Sequence, residues 1–466
     1  MTKYTNIFFS AMLVCVLVRS AIFAAEKKPL PLEGGYAVVV SQTTATTDGW
    51  SDVLKTLREK YDAQVMLHPP GKVEEALSEL QEKHPRYVCF LAQPNEVRGD
   101  FVVRVHQLTR KLDDDPWTDC IWAILTGYEA ADAMRIVKEE PLEIRRVLAG
   151  TPMRLECADS GVWFSELKKN EKWTKESGKA PVAVTGPDDT TTAIIAELVE
   201  GKAQLFVTSG HATQKDWMIG FSYRNGFFVS QPDGKLAGKD ITGKLHTFSS
   251  DEPRVHLGVG NCLIGDISDA DNCMALGLIH SAGVRQMVGY TVPSWYGYMG
   301  WGMLDYFYLQ PGRYTAAEAF FANQQALLHR LETAQQMNLS QQDVSGLLYD
   351  RDTVVIYGDP AWNARMAEGQ NEWTQILTES REGESITYTI TLRKTAYDNT
   401  DKNGSQRGGR PFFAFLPVRL AQKGTVEILA GADFKPMIAD DFVLIPKFAM
   451  EEGKEYTITF RGKMRN

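Results

Sequence analysis

Between residues 35 and 366 the chain alternates short apolar or β-branched runs with stretches of helical period, and this alternation constrains the fold more than any other feature. The runs are 36–40, 64–67, 87–91, 120–125, 180–185, 204–208, 255–259, 284–291 and 353–357. Their length suits buried strands. Between several of them lie helical stretches, 50–61, 73–83, 130–138, 191–199 and 274–281, long enough to be the crossovers that parallel strands require. The expected class is α/β, a mostly parallel sheet flanked by helices. Thr315-Ala316-Ala317-Glu318 has capping-box spacing and opens a long helix to about Gln336. The charged stretch 166–175 reads as a helix with a solvent face.

After Met366 the period changes to two. Ile386, Tyr388, Ile390 and Leu392 alternate with threonines, Tyr456, Ile458 and Phe460 alternate near the end, and a Gly/Asn/Asp-rich loop spans 398–410. A small antiparallel domain is expected there, of a size that suits an immunoglobulin-like β-sandwich. With 466 residues the chain has room for two or three domains. The plan is a signal peptide at 1–25, two α/β halves at 26–150 and 151–368, and the β domain at 369–466.

The leader is read from Lys3, the apolar stretch 7–18, Arg19-Ser20 and the small-residue segment Ala21-Ile22-Phe23-Ala24-Ala25. It implies export to the periplasm, the cell surface or the medium. Val14 before Cys15 is not the small residue that lipid attachment needs. A net charge of −9 offers no general attraction to nucleic acid or an anionic membrane. No run of about twenty apolar residues is present to span a bilayer. Without the leader five cysteines remain, Cys89, Cys120, Cys157, Cys262 and Cys273, so at least one thiol stays unpaired. No Cys-x-x-Cys occurs, and no cofactor is expected.

Two segments place a reactive side chain just beyond a strand. One is Leu205-Phe206-Val207-Thr208-Ser209-Gly210-His211-Ala212, the other Val255-His256-Leu257-Gly258-Val259-Gly260-Asn261-Cys262-Leu263-Ile264-Gly265-Asp266. In a parallel sheet strand carboxyl ends share one edge, where ligands bind. A thiol beside an imidazole there can become a nucleophilic thiolate. Glycines 210, 260 and 265 allow sharp turns and close approach. Taken singly, a histidine after a strand is more often a hydrogen-bonded loop residue, and a cysteine more often core filler. Metal ligation by His211, Cys262, Cys273 and His280 lacks recognised ligand spacing, and Cys273 and His280 fit one helix as packing residues.

These motifs resemble the caspase-like cysteine peptidases, and most closely the gingipain-type family. In that family one strand ends in His-Gly and a second in a nucleophilic Cys followed by Gly-Asp. Here Gly210-His211 is followed by Trp217, and Cys262-Leu263-Ile264-Gly265-Asp266 by Cys273-Met274-Ala275-Leu276 and the strand 283–291. Gly358-Asp359-Pro360 closes the resemblance, and Asp114-Asp115-Pro116-Trp117-Thr118-Asp119 with 129–138 resembles the family's non-catalytic half. The likeness spans about residues 35–366. It implies a caspase-like sheet in two related α/β halves followed by a β-sandwich.

The implied activity is an exported endopeptidase acting on protein or peptide substrates. Cys262 would be the nucleophile, His211 the acid and base, and the backbone N–H groups of Cys262 and Ala212 the oxyanion hole. The chain departs from the pattern at Ala212, where the family has Gly, and at Asn261, where small residues are usual. Glu156 and Asp159 are candidates, by position alone, for the carboxylate that orients His211. Trp295 and Tyr296, in an aromatic stretch after a strand, are candidates for a pocket wall, and core packing is the other reading. The acidic runs 113–115 and 188–189 read as solvated turns. The alternative function is a secreted binding or assembly module that keeps the fold without catalysis.

Overall fold

The computed structural model describes residues 32–268, 272–397, 407, 409–421 and 426–465. The expected leader at 1–25 and most of the 398–410 loop lie outside the described residues. A central sheet is built from Tyr36–Ser41 (β1), Gln64–His68 (β2), Tyr87–Leu91 (β3), Ile121–Leu125 (β4), Arg146–Ala149 (β5), Ser160–Phe164 (β6), Glu171–Lys175 (β7), Val182–Thr185 (β8), Leu205–Thr208 (β9), Arg254–Gly258 (β10), Val284–Tyr290 (β11) and Val354–Tyr357 (β12). Flanking helices are Trp50–Tyr61 (α1), Leu77–Lys83 (α2), Phe101–Leu108 (α3), Ala130–Val137 (α4), Thr191–Val199 (α5), Met274–Ser281 (α6), Tyr298–Met303 (α7), Ala316–Glu332 (α8) and Gln341–Arg351 (α9).

The sheet order is β2-β1-β3-β4-β12-β11-β10-β9-β5-β6-β7-β8. It is mixed. β2, β1, β3, β4 and β12 run parallel to one another, as do β11, β10, β9, β5 and β6. The two blocks meet antiparallel at β11 and β12, and β7 and β8 extend the second block antiparallel. Strand carboxyl ends therefore share an edge within a block, not across the whole sheet. β9 and β10 belong to the same block, which is what matters for His211 and Cys262. All residues of β1, β4, β9, β10, β11 and β12 are buried, which accounts for the largely apolar runs of β1, β4, β9 and β12, while β10 and β11 also bury Arg254, His256, Arg285 and Gln286.

The stretch expected as a charged helix is instead a turn followed by β7. Trp173 pairs with Trp163 of β6 and stacks on it at 6.0 Å, so packing overrides the charge pattern. Its Glu and Lys residues suit a strand near the sheet's edge. The Thr315 capping box forms, with Thr315 Oγ1 accepting from Glu318 N and the Glu318 carboxylate from Thr315 N, and α8 ends at Glu332 rather than near Gln336. There the Thr333 hydroxyl donates to the His329 carbonyl at 2.6 Å.

Between β9 and β10 the chain makes a four-stranded antiparallel sheet from Asp216–Met218, Phe227–Ser230, Leu236–Lys239 and Leu245–Thr247. The C-terminal region comprises Trp373–Glu382 (β13), Ser385–Lys394 (β14), Phe412–Phe415 (β15), Glu427–Ala430 (β16), Met437–Ile438 (β17), Phe442–Ile445 (β18) and Glu455–Lys463 (β19). They form two antiparallel sheets, β13-β14-β19-β16 and β15-β18-β17. Ile386, Tyr388, Ile390, Leu392, Ile458 and Phe460 from the first share a core with Phe412, Val443 and Ile445 from the second. Phe413 and Phe442 face the other way, into the main core, where Phe442 lies 5.9 Å from Phe321 of α8.

Candidate functional site

β9 ends at Thr208, and the chain turns at Gly210, where φ is +85°. A β-carbon at 210 would lie 2.7 Å from Glu166 Oε2, so both conformation and space require glycine. Beyond it His211 is exposed, its ring stacked on Phe221 at 4.6 Å between centroids. Trp217 Nε1 donates to the Ser209 carbonyl at 2.8 Å and Met218 N to the His211 carbonyl at 2.9 Å, which ties this turn to the inserted sheet.

β10 ends at Gly258, opposite Thr208 in parallel register. Four residues on is Cys262, half-buried, followed by Leu263 at φ +56°. A branched side chain in the left-handed region costs about 1–2 kcal/mol, and such strain concentrates at functional turns. It is held there by Leu263 N donating to the Val292 carbonyl at 3.1 Å and Asp266 N to the Leu263 carbonyl at 3.0 Å. Leu263, not a glycine, makes the turn; Gly260 and Gly265 serve close approach. A β-carbon at Gly260 would meet Ser209 Oγ at 2.6 Å, and one at Gly265 the Gly289 carbonyl at 2.9 Å.

The two turns are adjacent. Asn261 Nδ2 donates to the Gly210 carbonyl at 3.1 Å, bonding the residue before the cysteine to the residue before the histidine. The reactive side chains themselves are not hydrogen-bonded to each other. The Cys262 thiol faces Ser294, with Sγ 3.8 Å from its carbonyl and 3.7 Å from its hydroxyl, and the His211 ring faces Phe221. The backbone N–H groups of Ala212 and Cys262 donate to no described residue. Ala212 does not adopt the left-handed conformation, so its β-carbon brings no backbone strain.

Glu156 and Asp159 are not the carboxylates beside His211. Asp159 immediately precedes β6, at the strands' amino edge, whereas His211 follows β9 at the carboxyl edge. Asp159 accepts from Ser177 Oγ at 2.6 Å; Glu156 is exposed and pairs with Arg154 at 3.8 Å. The carboxylate on the correct edge is Glu166, two residues after β6 and only 6% exposed. Its Oε1 accepts from Thr151 Oγ1 at 3.0 Å, and Oε2 lies against Gly210 without a well-formed hydrogen bond. Its backbone carbonyl accepts from Phe221 N at 2.7 Å, so one residue supports both the histidine's turn and the ring beneath its imidazole. Burial raises its pKa to about 7, against the pull of the Thr151 and Ser209 hydroxyls. Reading 166–175 as a solvated helix concealed it; the signal for a strand was Trp163 and Trp173 across a short turn.

The two candidate wall residues separate. Trp295 follows Ser294 and is 46% exposed, 5.8 Å from the Tyr349 ring. Tyr296 is buried, its ring against Gly346 of α9 and its hydroxyl donating to Asp343 at 2.9 Å, so it is a packing residue. Phe221, 47% exposed, is an aromatic beside His211 that the sequence did not disclose. Cys89, Cys120, Cys157 and Cys273 are buried, and burial pushes the Cys89 and Cys120 thiols up. The grouping of His211, Cys262, Cys273 and His280 does not form. His280 Nδ1 instead lies 3.0 Å from Asp132 Oδ2.

No family profile, curated protein sequence or solved structure matches this chain.

Proposed function

We propose that this protein is an exported cysteine endopeptidase of the caspase-like, gingipain type, its α/β region followed by an immunoglobulin-like sandwich. The observation that carries the reading is the hydrogen bond from Asn261 to the Gly210 carbonyl, which seats the His211 and Cys262 turns side by side at one sheet edge. The strained Leu263, the unpaired N–H groups of Ala212 and Cys262, and the exposed aromatics Phe221 and Trp295 support it.

In this mechanism the Cys262 side chain turns from Ser294 toward a bound peptide and His211 takes the thiol proton. The thiolate attacks the scissile carbonyl carbon, whose oxygen receives the N–H groups of Cys262 and Ala212. The tetrahedral intermediate collapses as His211 protonates the leaving amine. His211 then removes a proton from water, which attacks the thioester, releases the acid and restores the thiol. Glu166, beneath Gly210, holds the histidine's turn.

Iodoacetamide alkylation and peptide-library cleavage test the reading. Cys262 should be labelled ahead of every other thiol, His211→Ala should slow that labelling, and Cys262→Ala should abolish cleavage. Labelling that ignores His211, with no cleavage across a broad library, overturns it. The second reading, a binding module on the same fold, draws on the thiol's contact with Ser294 rather than His211.

A further inference from the structure

Asn261 is fully buried between the two turns, at the position where the resembled family carries a small residue. With Nδ2 donating to Gly210, its Oδ1 accepts from Thr208 Oγ1 at 2.6 Å. A hydroxyl has one proton to give. With that proton on Asn261, Thr208 Oγ1 must accept from the ring nitrogen 3.0 Å away, His256 Nε2. His256 is completely buried in β10, and burial lowers its pKa to about 3, so the ring is neutral. Its Nδ1 has no partner. The Nε2–H tautomer leaves only a lone pair unsatisfied there, whereas the other would bury an unpaired N–H as well as reverse the Thr208 bond.

We propose that Asn261 is a positioning residue: the end of a directional relay, His256 to Thr208 to Asn261 to the Gly210 carbonyl, that fixes the His211 turn against the Cys262 turn. The inference rests on the peptidase reading for its catalytic meaning. The relay itself is a matter of hydrogen-bond direction and is measurable without substrate. Its origin in β9 and β10 anchors both turns to one rigid pair of strands. Truncating Asn261 removes the only side chain that hydrogen-bonds both Thr208 and the Gly210 carbonyl among the described residues.

Two readouts test it on the full chain: the iodoacetamide rate at Cys262, and the His256 tautomer from ring nitrogen shifts in histidine-labelled protein. Asn261→Ala and Thr208→Val should each slow alkylation about five- to tenfold, toward the His211→Ala rate, as expected for losing one buried hydrogen bond. Thr208→Ser should keep the wild-type rate and the Nε2–H tautomer. In Asn261→Ala the Thr208 proton is released to turn toward His256, so the Nε2–H signature should weaken. Asn261→Asp carries the sharpest signature. Its rate relative to wild type at the same pH should be depressed at pH 8 and recover in acid, where the introduced carboxyl can again donate to the Gly210 carbonyl.

A wild-type alkylation rate in Asn261→Ala, or a depression in Asn261→Asp that does not change with pH, overturns the positioning role. Should His211→Ala alkylate like wild type, the peptidase reading fails instead. The tautomer then decides the relay alone, and an Nδ1–H ring in the wild-type protein overturns it.

Discussion

Replacing Glu166 by Gln should make the protein more stable at neutral pH and worse at its task. Glu166 is buried and its pKa stands near 7 in the folded chain, against about 4.3 for an unperturbed glutamate. The folded state therefore binds this proton more tightly than the unfolded state. Stability from this group is fully present below pH 4 and is lost as pH rises from about 4.3 through 7. The gap corresponds to about 4 kcal/mol at pH 8. Gln cannot ionise and can still accept from Thr151, so it should escape the loss. Urea unfolding followed by tryptophan fluorescence should show wild type and Glu166→Gln nearly equal at pH 4, separating through pH 5–7, then holding a constant gap. Taking the difference between the two proteins cancels other buried acids such as Asp441, whose pKa burial also raises. Peptide cleavage should fall in the same variant, because a carboxylate beneath the histidine's turn would be gone. Equal pH slopes for the two proteins would refute the claim that burial holds this proton.

Gly210→Ala combines left-handed backbone with a β-carbon 2.7 Å from Glu166 Oε2; urea titration should show a loss of about 2–3 kcal/mol, and alkylation of Cys262 should slow. Arg410 is buried with its guanidinium 3.6 Å from the Tyr298 ring centroid and its Nη2 donating to the Tyr298 carbonyl at 2.7 Å. Arg410→Ala strips that cation from Asp305 and Asn323 and should cost about 3–5 kcal/mol by the same titration. Thr315→Ala removes the α8 cap and should cost about 1 kcal/mol, read as a small drop in the urea midpoint.

Much of the sheet was legible because central strands such as β1 and β4 are buried on both faces and read as apolar runs. Residues 36–40, 87–91 and 284–291 appear as strands within a residue of the expected bounds. The alternation at Ile386 to Leu392 was equally plain, since one face of β14 is core. The antiparallel junction of β11 and β12 was not legible: strand direction is set by which elements the chain joins, and side-chain period carries no sign for it. Glu166 was missed for a related reason. A lone acid in a charged stretch signals solvent, and only the pairing of Trp163 with Trp173 folds it inward. Asn261 looked like an anomaly before the candidate nucleophile; its partner Thr208 is 53 residues distant, and only the strand register brings Thr208 to it and to His256.

The aromatic seam formed by Phe413 and Phe442 against Phe321 has a consequence for how the molecule comes apart. A C-terminal appendage hung on a tether would melt by itself and leave its neighbour intact. Here, peeling the sheet of β15, β18 and β17 away would bare those rings on both pieces and withdraw Arg410 from Tyr298, a few residues past Trp295. Loosening the tail end of the chain should thus register at the rim that carries Cys262, and the whole should denature in one cooperative transition.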